Sequence, residues 1–302
     1  MTTAMDQVFK ILDIALKISV VLFMVGNLLD MGLKLKLQDA LGGLRNVRFV
    51  VQSVLWGFVL CPGLAYLLTK VVPLDPAYAT GLVLLGMAPC APFLPLMVER
   101  ARGDMGAMAA FMLLASFITV VYMPIAVPFM VKGLTASAWT IAKPLLFFVL
   151  APLAIGMAIQ RASAPVAAKL HPVVKQAAGL ATIIMLALCL VDYGKGFIGA
   201  VGTYAIGTQI LFFSIATAAS YGLSFGLPYG QKSVLSLGMA TRNLGAAFAP
   251  LFAVADADQR AIVMVALGVP MQTMFSLLAS GWLSRRASLG EPAAARTLDT
   301  KS

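Results

Sequence analysis

This sequence is poor in charge. Of its 302 residues only 11% are Asp, Glu, Lys or Arg, 61% are hydrophobic, and the mean hydropathy is +0.94. Soluble domains carry about 25% charged residues, so a water-soluble globular fold is excluded and an integral membrane protein is expected. Alternating ten-residue strands are missing, which excludes a β-barrel. Histidine occurs once, as His171 beside Pro172 in a short basic stretch, where a solvated side chain is expected. The apolar stretches hold no paired acids, no Ser–His arrangement and no metal-ligand spacing, so neither an intramembrane enzyme, a metal site nor a cofactor is expected. The three cysteines, Cys61, Cys90 and Cys189, are widely spaced in apolar runs and read as small packing residues, with Cys90 the one beside a candidate site. Acidic residues number 12 against 22 Lys and Arg, for a formal charge of +10. Those basic residues are scattered through short loops, which suits topology determinants and not a nucleic-acid surface. Asp6 and Asp13 precede or enter the first apolar run with no basic stretch before it, so no cleavable signal peptide is expected.

What is present is a series of apolar stretches. Nine are long enough, or nearly so, to cross about 30 Å of hydrocarbon: 10–33, 49–69, 77–98, 105–131, 141–160, 174–192, 204–225, 232–254 and 261–283. The loops between them are short, so one compact bundle over 1–286 is expected, with 287–302 as a disordered tail. One side of this arrangement collects Lys34, Lys36, Arg45, Arg48, Arg100, Arg102, Arg161, Lys169, Lys175, Lys232, Arg285 and Arg286. The other collects only Lys10, Lys17, Lys70, Lys132, Lys143, Lys195 and Arg260. The positive-inside rule then puts the N-terminus outside and the C-terminus in the cytoplasm, in a membrane expected to be a bacterial inner membrane.

Two stretches break the apolar pattern. LGMATRNLGAAFAPL at 237–251 sets Arg242 and Asn243 in the middle of a membrane segment. A charge there costs roughly 2.5–3.5 kcal/mol on insertion scales, so such a residue faces a cavity or a partner. LGMAPCAPFLPL at 85–96 carries Pro89, Pro92 and Pro95 at three-residue spacing, and each removes a backbone donor and obstructs the carbonyl four residues back. A regular helix cannot run through all three. Both stretches begin LGMA and break soon after, and they lie in spans five apart, which cross the membrane in opposite directions. Paired interrupted segments in opposed halves point to a transporter site built from inverted repeats.

These residues resemble the bile acid:sodium symporter family. The resemblance is carried by MGLKLKLQDA at 31–40, by GMAPCAP at 86–92 followed by ARGD at 101–104, and by GLPYGQK at 226–232. It implies an inverted-repeat fold of nine transmembrane helices with two discontinuous helices that cross, here the third and eighth spans. It also implies a core domain, about 49–131 and 204–283, and a panel domain, about 10–33 and 141–192. At the family's sodium ligands the sequence departs. The bridging glutamate falls on Gly238 and the following glutamine on Arg242, with the next asparagine kept as Asn243. A Ser-Asn pair falls on Leu94 and Pro95, two hydroxyl ligands on Met108 and Met112, and a further glutamine on Gly57. Hard cations need oxygen ligands, and these side chains other than Asn243 offer none, so sodium sites are not expected.

Two roles are open to Arg242. It stands where a cation would be, donating to freed carbonyls of the third span or to Thr241 and Asn243, or its planar fork captures a carboxylate, sulfonate or phosphate. A plain structural pairing, with Asp30 or Asp192 as the acid, is the alternative to both. The candidate substrate or crossover residues are Arg242, Asn243, Thr241, Pro89, Cys90, Pro92, Pro95 and Gln272, with Phe93, Met97, Met112 and Phe248 as candidate pocket lining. Polar residues elsewhere in the spans read as helix–helix contacts. The function expected is secondary transport of a small organic anion by alternating access, in a lipid bilayer and with no obligate protein partner. The alternative is a membrane-embedded binding or sensor protein without transport.

Overall fold

The computed structural model describes residues 2–131, 137–254 and 257–290, and within them it is all-α with no strand. In chain order the helices are α1 Thr2–Lys34, α2 Leu37–Leu44, α3 Val47–Leu55, α4 Cys61–Val71, α5 Pro76–Met87, α6 Leu94–Arg100 and α7 Met105–Met130. They continue as α8 Ala138–Leu145, α9 Ala151–Ala162, α10 Ala164–Ala200, α11 Ala205–Gly222, α12 Tyr229–Ala240, α13 Leu244–Phe252 and α14 Gln259–Gly290. Among the described residues six helical stretches are long and apolar enough to cross a membrane: Ile14–Lys34, Val47–Val71, Met105–Met130, Ala138–Ala162, Ala164–Ala200 and Gln259–Leu289. The other expected spans, 77–98, 204–225 and 232–254, fall on α5 with α6, on α11, and on α12 with α13. Lys132, used for the orientation, and 291–302 of the expected tail lie outside the described residues.

Prolines shape the continuous stretches. Pro62 and Pro152 each sit in the first turn of a helix that follows one π-helical turn, Trp56–Leu60 and Leu146–Leu150. The wider turn accommodates the ring against the carbonyl four residues back without ending the helix. Side-chain caps fix other starts: Asp75 accepts from Ala77 N–H at 2.9 Å to open α5, and Asp104 accepts from Ala107 N–H at 2.9 Å to open α7.

α1 lies mainly against α9 and α10, while α5, α10, α11, α12 and α13 all pack on α14. The α1–α9 contact is close enough that a Cβ on Gly32 would meet Leu153 O at 2.4 Å and one on Gly156 would meet Leu29 O at 2.6 Å, so only glycine fits at that crossing.

Three local expectations differ from the structure. The stretch expected as a loop before 174 is helical: α10 begins at Ala164, separated from α9 only by Ser163, which accepts from Val166 N–H at 3.5 Å. His171 is therefore inside a helix, 3.0 Å from the Asp30 carboxylate, and not in a solvated loop. Alanines and leucines from 164 onward favour helix, and Pro165 in the first turn costs nothing. In the 34–48 loop, Leu37, Ala40, Leu41 and Leu44 recur at helical spacing and form α2, which packs on α7. Finally, α14 runs to Gly290, four residues into the expected tail.

Candidate functional site

The two broken stretches meet. Pro89 cannot donate, Ala88 leaves the helical region at φ −114° and ψ 73°, and Cys90 takes a left-handed φ of 74° that non-glycine residues rarely adopt. α5 stops there, and α6 restarts at Leu94 with Pro95 in its first turn, where a missing donor is harmless. Opposite, α12 stops at Ala240, Thr241 is extended at φ −121° and ψ 147°, and Asn243 opens α13 by accepting from Ala246 N–H at 3.1 Å. Pro89 and Arg242 pair as one antiparallel rung. In it Cys90 N–H donates to Thr241 O at 3.2 Å and Asn243 N–H to Ala88 O at 2.9 Å. The Thr241 hydroxyl accepts from Ala91 N–H at 3.3 Å, and Gln272 of α14 accepts from Arg242 N–H at 2.7 Å. Backbone groups freed by the breaks thus find partners in one another, as burial in hydrocarbon demands.

Arg242 is 0% exposed. Its Nη2 donates to Met239 O at 3.0 Å, its Nη1 to Gly86 O at 3.4 Å, and its guanidinium carbon lies 4.9 Å from the Phe212 ring centroid. Gly86 and Met239 lie in the last turns of α5 and α12, where carbonyls have no partner within the helix and the helix dipole presents its negative end. The guanidinium is therefore held by two helix C-termini and one ring face. The ion pairs of the described residues lie elsewhere, including Asp30 with His171 and Arg260 with Asp75 and Asp258, and no carboxylate pairs with Arg242.

Hydrocarbon and sulfur occupy the surroundings. A Cβ on Gly238 would sit 2.4 Å from Phe111 Cε1, so the aromatic ring fills the room a longer side chain would need. A Cβ on Gly57 would lie 3.3 Å from Pro89 Cγ. Leu94, Met108 and Met112 are buried, and Cys61 Sγ lies 3.4 Å from Met239 Sδ.

Two cavities flank this crossover, and α1 lines both. The larger, about 810 Å³, lies between Lys17, Val20 and Met24 of α1, Trp139 and Lys143 of α8, Phe147 and Phe148 of the π turn, and Phe252 of α13. The smaller, about 290 Å³, lies at the other end of α1 between Met31, Lys34, Lys36, Asp39, Pro95, Glu99, Met108 and Met112. Between them α1 touches the start of α13 closely, since a Cβ on Gly245 would meet Met24 Cγ at 2.8 Å.

Residues 20–199, more than half of the chain, match the family model described as the Sodium Bile acid symporter family. The chain belongs to this family. No curated protein matches the chain. Membership in the sodium bile acid symporter family makes the chain an integral membrane protein of a transporter family and not of an enzyme family, with a small-molecule substrate. The match ends before α12, so the Arg242 break lies beyond it.

The sequence-selected residues divide sharply. Pro89, Cys90, Thr241, Arg242, Asn243 and Gln272 come together at the crossover, with Pro92 in the same break, and none of them lines either cavity. Pro95 and Met112 line the smaller cavity, whereas Phe248 is fully buried. Sequence reasoning missed Lys17, Lys143 and Trp139 as cavity residues. Lys17 stands inside the 10–33 span and Lys143 inside the 141–160 span, and a basic residue within a span is itself a signal of a site.

Proposed function

We propose that this family member carries an amphipathic organic anion across the membrane by alternating access, and that it does so without sodium. The observation that carries the reading is the pair of cavities at opposite ends of α1, separated where Met24 meets Gly245. A panel of α1, α8, α9 and α10, close to the expected 10–33 and 141–192, rocks against a core of about 49–131 and 204–283. The anion enters the larger cavity, where Lys17 and Lys143 supply positive charge and Trp139, Phe147, Phe148 and Phe252 supply apolar surface. Its volume falls in the range of about 300–1,000 Å³ usual for small-molecule sites. The arrangement fits nine spans, with the broken pairs α5/α6 and α12/α13 as inverted counterparts. The N-terminus is then outside, and the larger cavity faces out of a bacterial inner membrane.

Arg242 is the cation of the crossover in this reading. A guanidinium already fixed between two helix C-termini repels a second cation, and Phe111 and Pro89 fill the positions from which oxygen ligands would come. Arg242 is then a positioning residue and not a substrate contact. The sealed crossover also suits the alternative of a binding protein without transport. Uptake of labelled carboxylates and sulfonates into proteoliposomes separates the two. Saturable uptake supports the transporter, while a ligand-induced rise in the unfolding midpoint with no uptake supports the binding protein.

A further inference from the structure

Further along α14 from the crossover residue Gln272 a second kind of site is built. α11 and α14 leave a groove of about 410 Å³ between them, with Thr217 and Tyr221 on one wall, Phe275, Leu278 and Trp282 on the other, and Ser236 of α12 at its floor. On α14 the lining runs over 275–283, about 12 Å of helix at about 1.5 Å per residue. Leu278 is 65% and Trp282 47% exposed, so in a membrane-spanning helix the groove opens toward lipid and not toward either seam cavity, with which it shares no residue.

Two polar features set it apart from an ordinary gap between helices. Ser236 Oγ spends its proton on Thr217 O at 2.9 Å, but Thr217 Oγ1 is buried with no hydrogen-bond partner. Such a hydroxyl destabilises the fold until something bonds it. At the mouth, Tyr221 and Trp282 meet edge to face at 5.2 Å, and the Arg286 guanidinium lies 4.5 Å from the Trp282 centroid and 5.9 Å from that of Tyr221. Rings hold a guanidinium by its face and leave the in-plane N–H fork free to grip a phosphate. More positive charge converges on this end. Tyr229 Oη reaches Leu283 O at 2.6 Å and Ala101 O at 3.0 Å, which brings the end of α6 alongside, and a Cβ on Gly281 would be 3.9 Å from Arg100 Nη2.

We propose that this groove holds an anionic phospholipid. Its phosphate takes the Arg286 fork with Arg285 adding charge, one acyl chain lies along the groove, and an ester carbonyl accepts from the Thr217 hydroxyl. A Tyr–Trp pair belongs at headgroup depth, and a basic pocket between spans selects anionic headgroups. The site is independent of the transport reading, because it uses neither cavity and no crossover residue.

The test is thermal unfolding of delipidated, detergent-purified protein titrated with phosphatidylglycerol, phosphatidylcholine or inorganic phosphate. Phosphatidylglycerol is expected to raise the midpoint saturably, with the other two leaving it in place. Arg286→Gln is expected to weaken the effect about fivefold, the worth of about one basic residue at an anionic surface, and Arg286→Lys to retain most of it. Leu278→Trp fills the groove and is expected to abolish the phosphatidylglycerol shift, and it decides the matter should Arg286→Gln fail to fold. Equal stabilisation by phosphatidylcholine, a shift from inorganic phosphate alone, or an unchanged phosphatidylglycerol response in Leu278→Trp overturns the proposal.

Discussion

Two sites of positive charge in the membrane region of this protein are built in opposite ways. Arg242 is completely buried, bonds carbonyls of α5 and α12, and lies over Phe212. Lys17 and Lys143 are exposed on the walls of an 810 Å³ cavity whose remaining lining is mostly apolar. A cation clamped between helix ends stabilises a backbone arrangement, even though its Nε has no hydrogen-bond partner. A cation that faces open volume attracts a ligand. A charge in a membrane segment therefore declares a role only once its surroundings in the fold are known.

Substitution should separate the two regions most sharply at Arg242. Arg242→Leu leaves the Gly86 and Met239 carbonyls without side-chain donors, at about 1–3 kcal/mol for each buried group. A large drop in unfolding midpoint and loss of uptake are expected together. Next comes the packing beside it. Gly238→Ala drives a methyl into Phe111 and is expected to cost about 1–3 kcal/mol of stability, as overpacking does, read from the same midpoint. Gly238→Glu should be worse and should not make uptake respond to sodium.

The lysines should behave in the contrary way. Replacing Lys17 and Lys143 together with Gln is expected to raise the KM for the anion about tenfold, or about 1.4 kcal/mol, while the unfolding midpoint falls far less than in Arg242→Leu. Added salt should weaken the wild-type protein toward the variant, because charges facing open volume are screened. A fall in midpoint equal to that of Arg242→Leu would erase the distinction.

The smallest effect belongs to a third kind of cation. Arg260 joins Asp258 and Asp75 in an exposed ion cluster, and its side-chain hydrogen bonds hold the Asp258 carboxyl below its ordinary value of 3.8. A depressed carboxyl contributes stability above its unfolded value and loses it as pH falls through the folded value. Acidification below that ordinary value should therefore lower the midpoint slightly, by the 0–1 kcal/mol typical of exposed pairs, and Asp258→Asn should remove that component.

Much of this was legible in the sequence, for physical reasons that differ by element. Pro89, Pro92 and Pro95 dictate a break by chemistry alone, and α5 and α6 stop and start around them. Asn243 caps the helix that follows Arg242 because its short carboxamide reaches the third N–H onward. What was not legible depends on tertiary partners. The carbonyl partners of Arg242 come from helix ends 156 residues away along the chain in one case and three in the other. His171 looked solvated beside Pro172, but Asp30 on α1 reaches it and the helix runs through the proline. The large cavity was hidden because its lysines sit on α1 and α8, distant in sequence, and each alone looks like a topology signal.

On the proposed reading a fixed guanidinium has taken the place of a transported cation. Uptake of a labelled bile acid and a panel of other organic anions into proteoliposomes, with sodium outside in one arm and potassium in the other, tests it most directly. Equal initial rates in the two arms are predicted, while a rate that depends strongly on inward sodium would contradict the account.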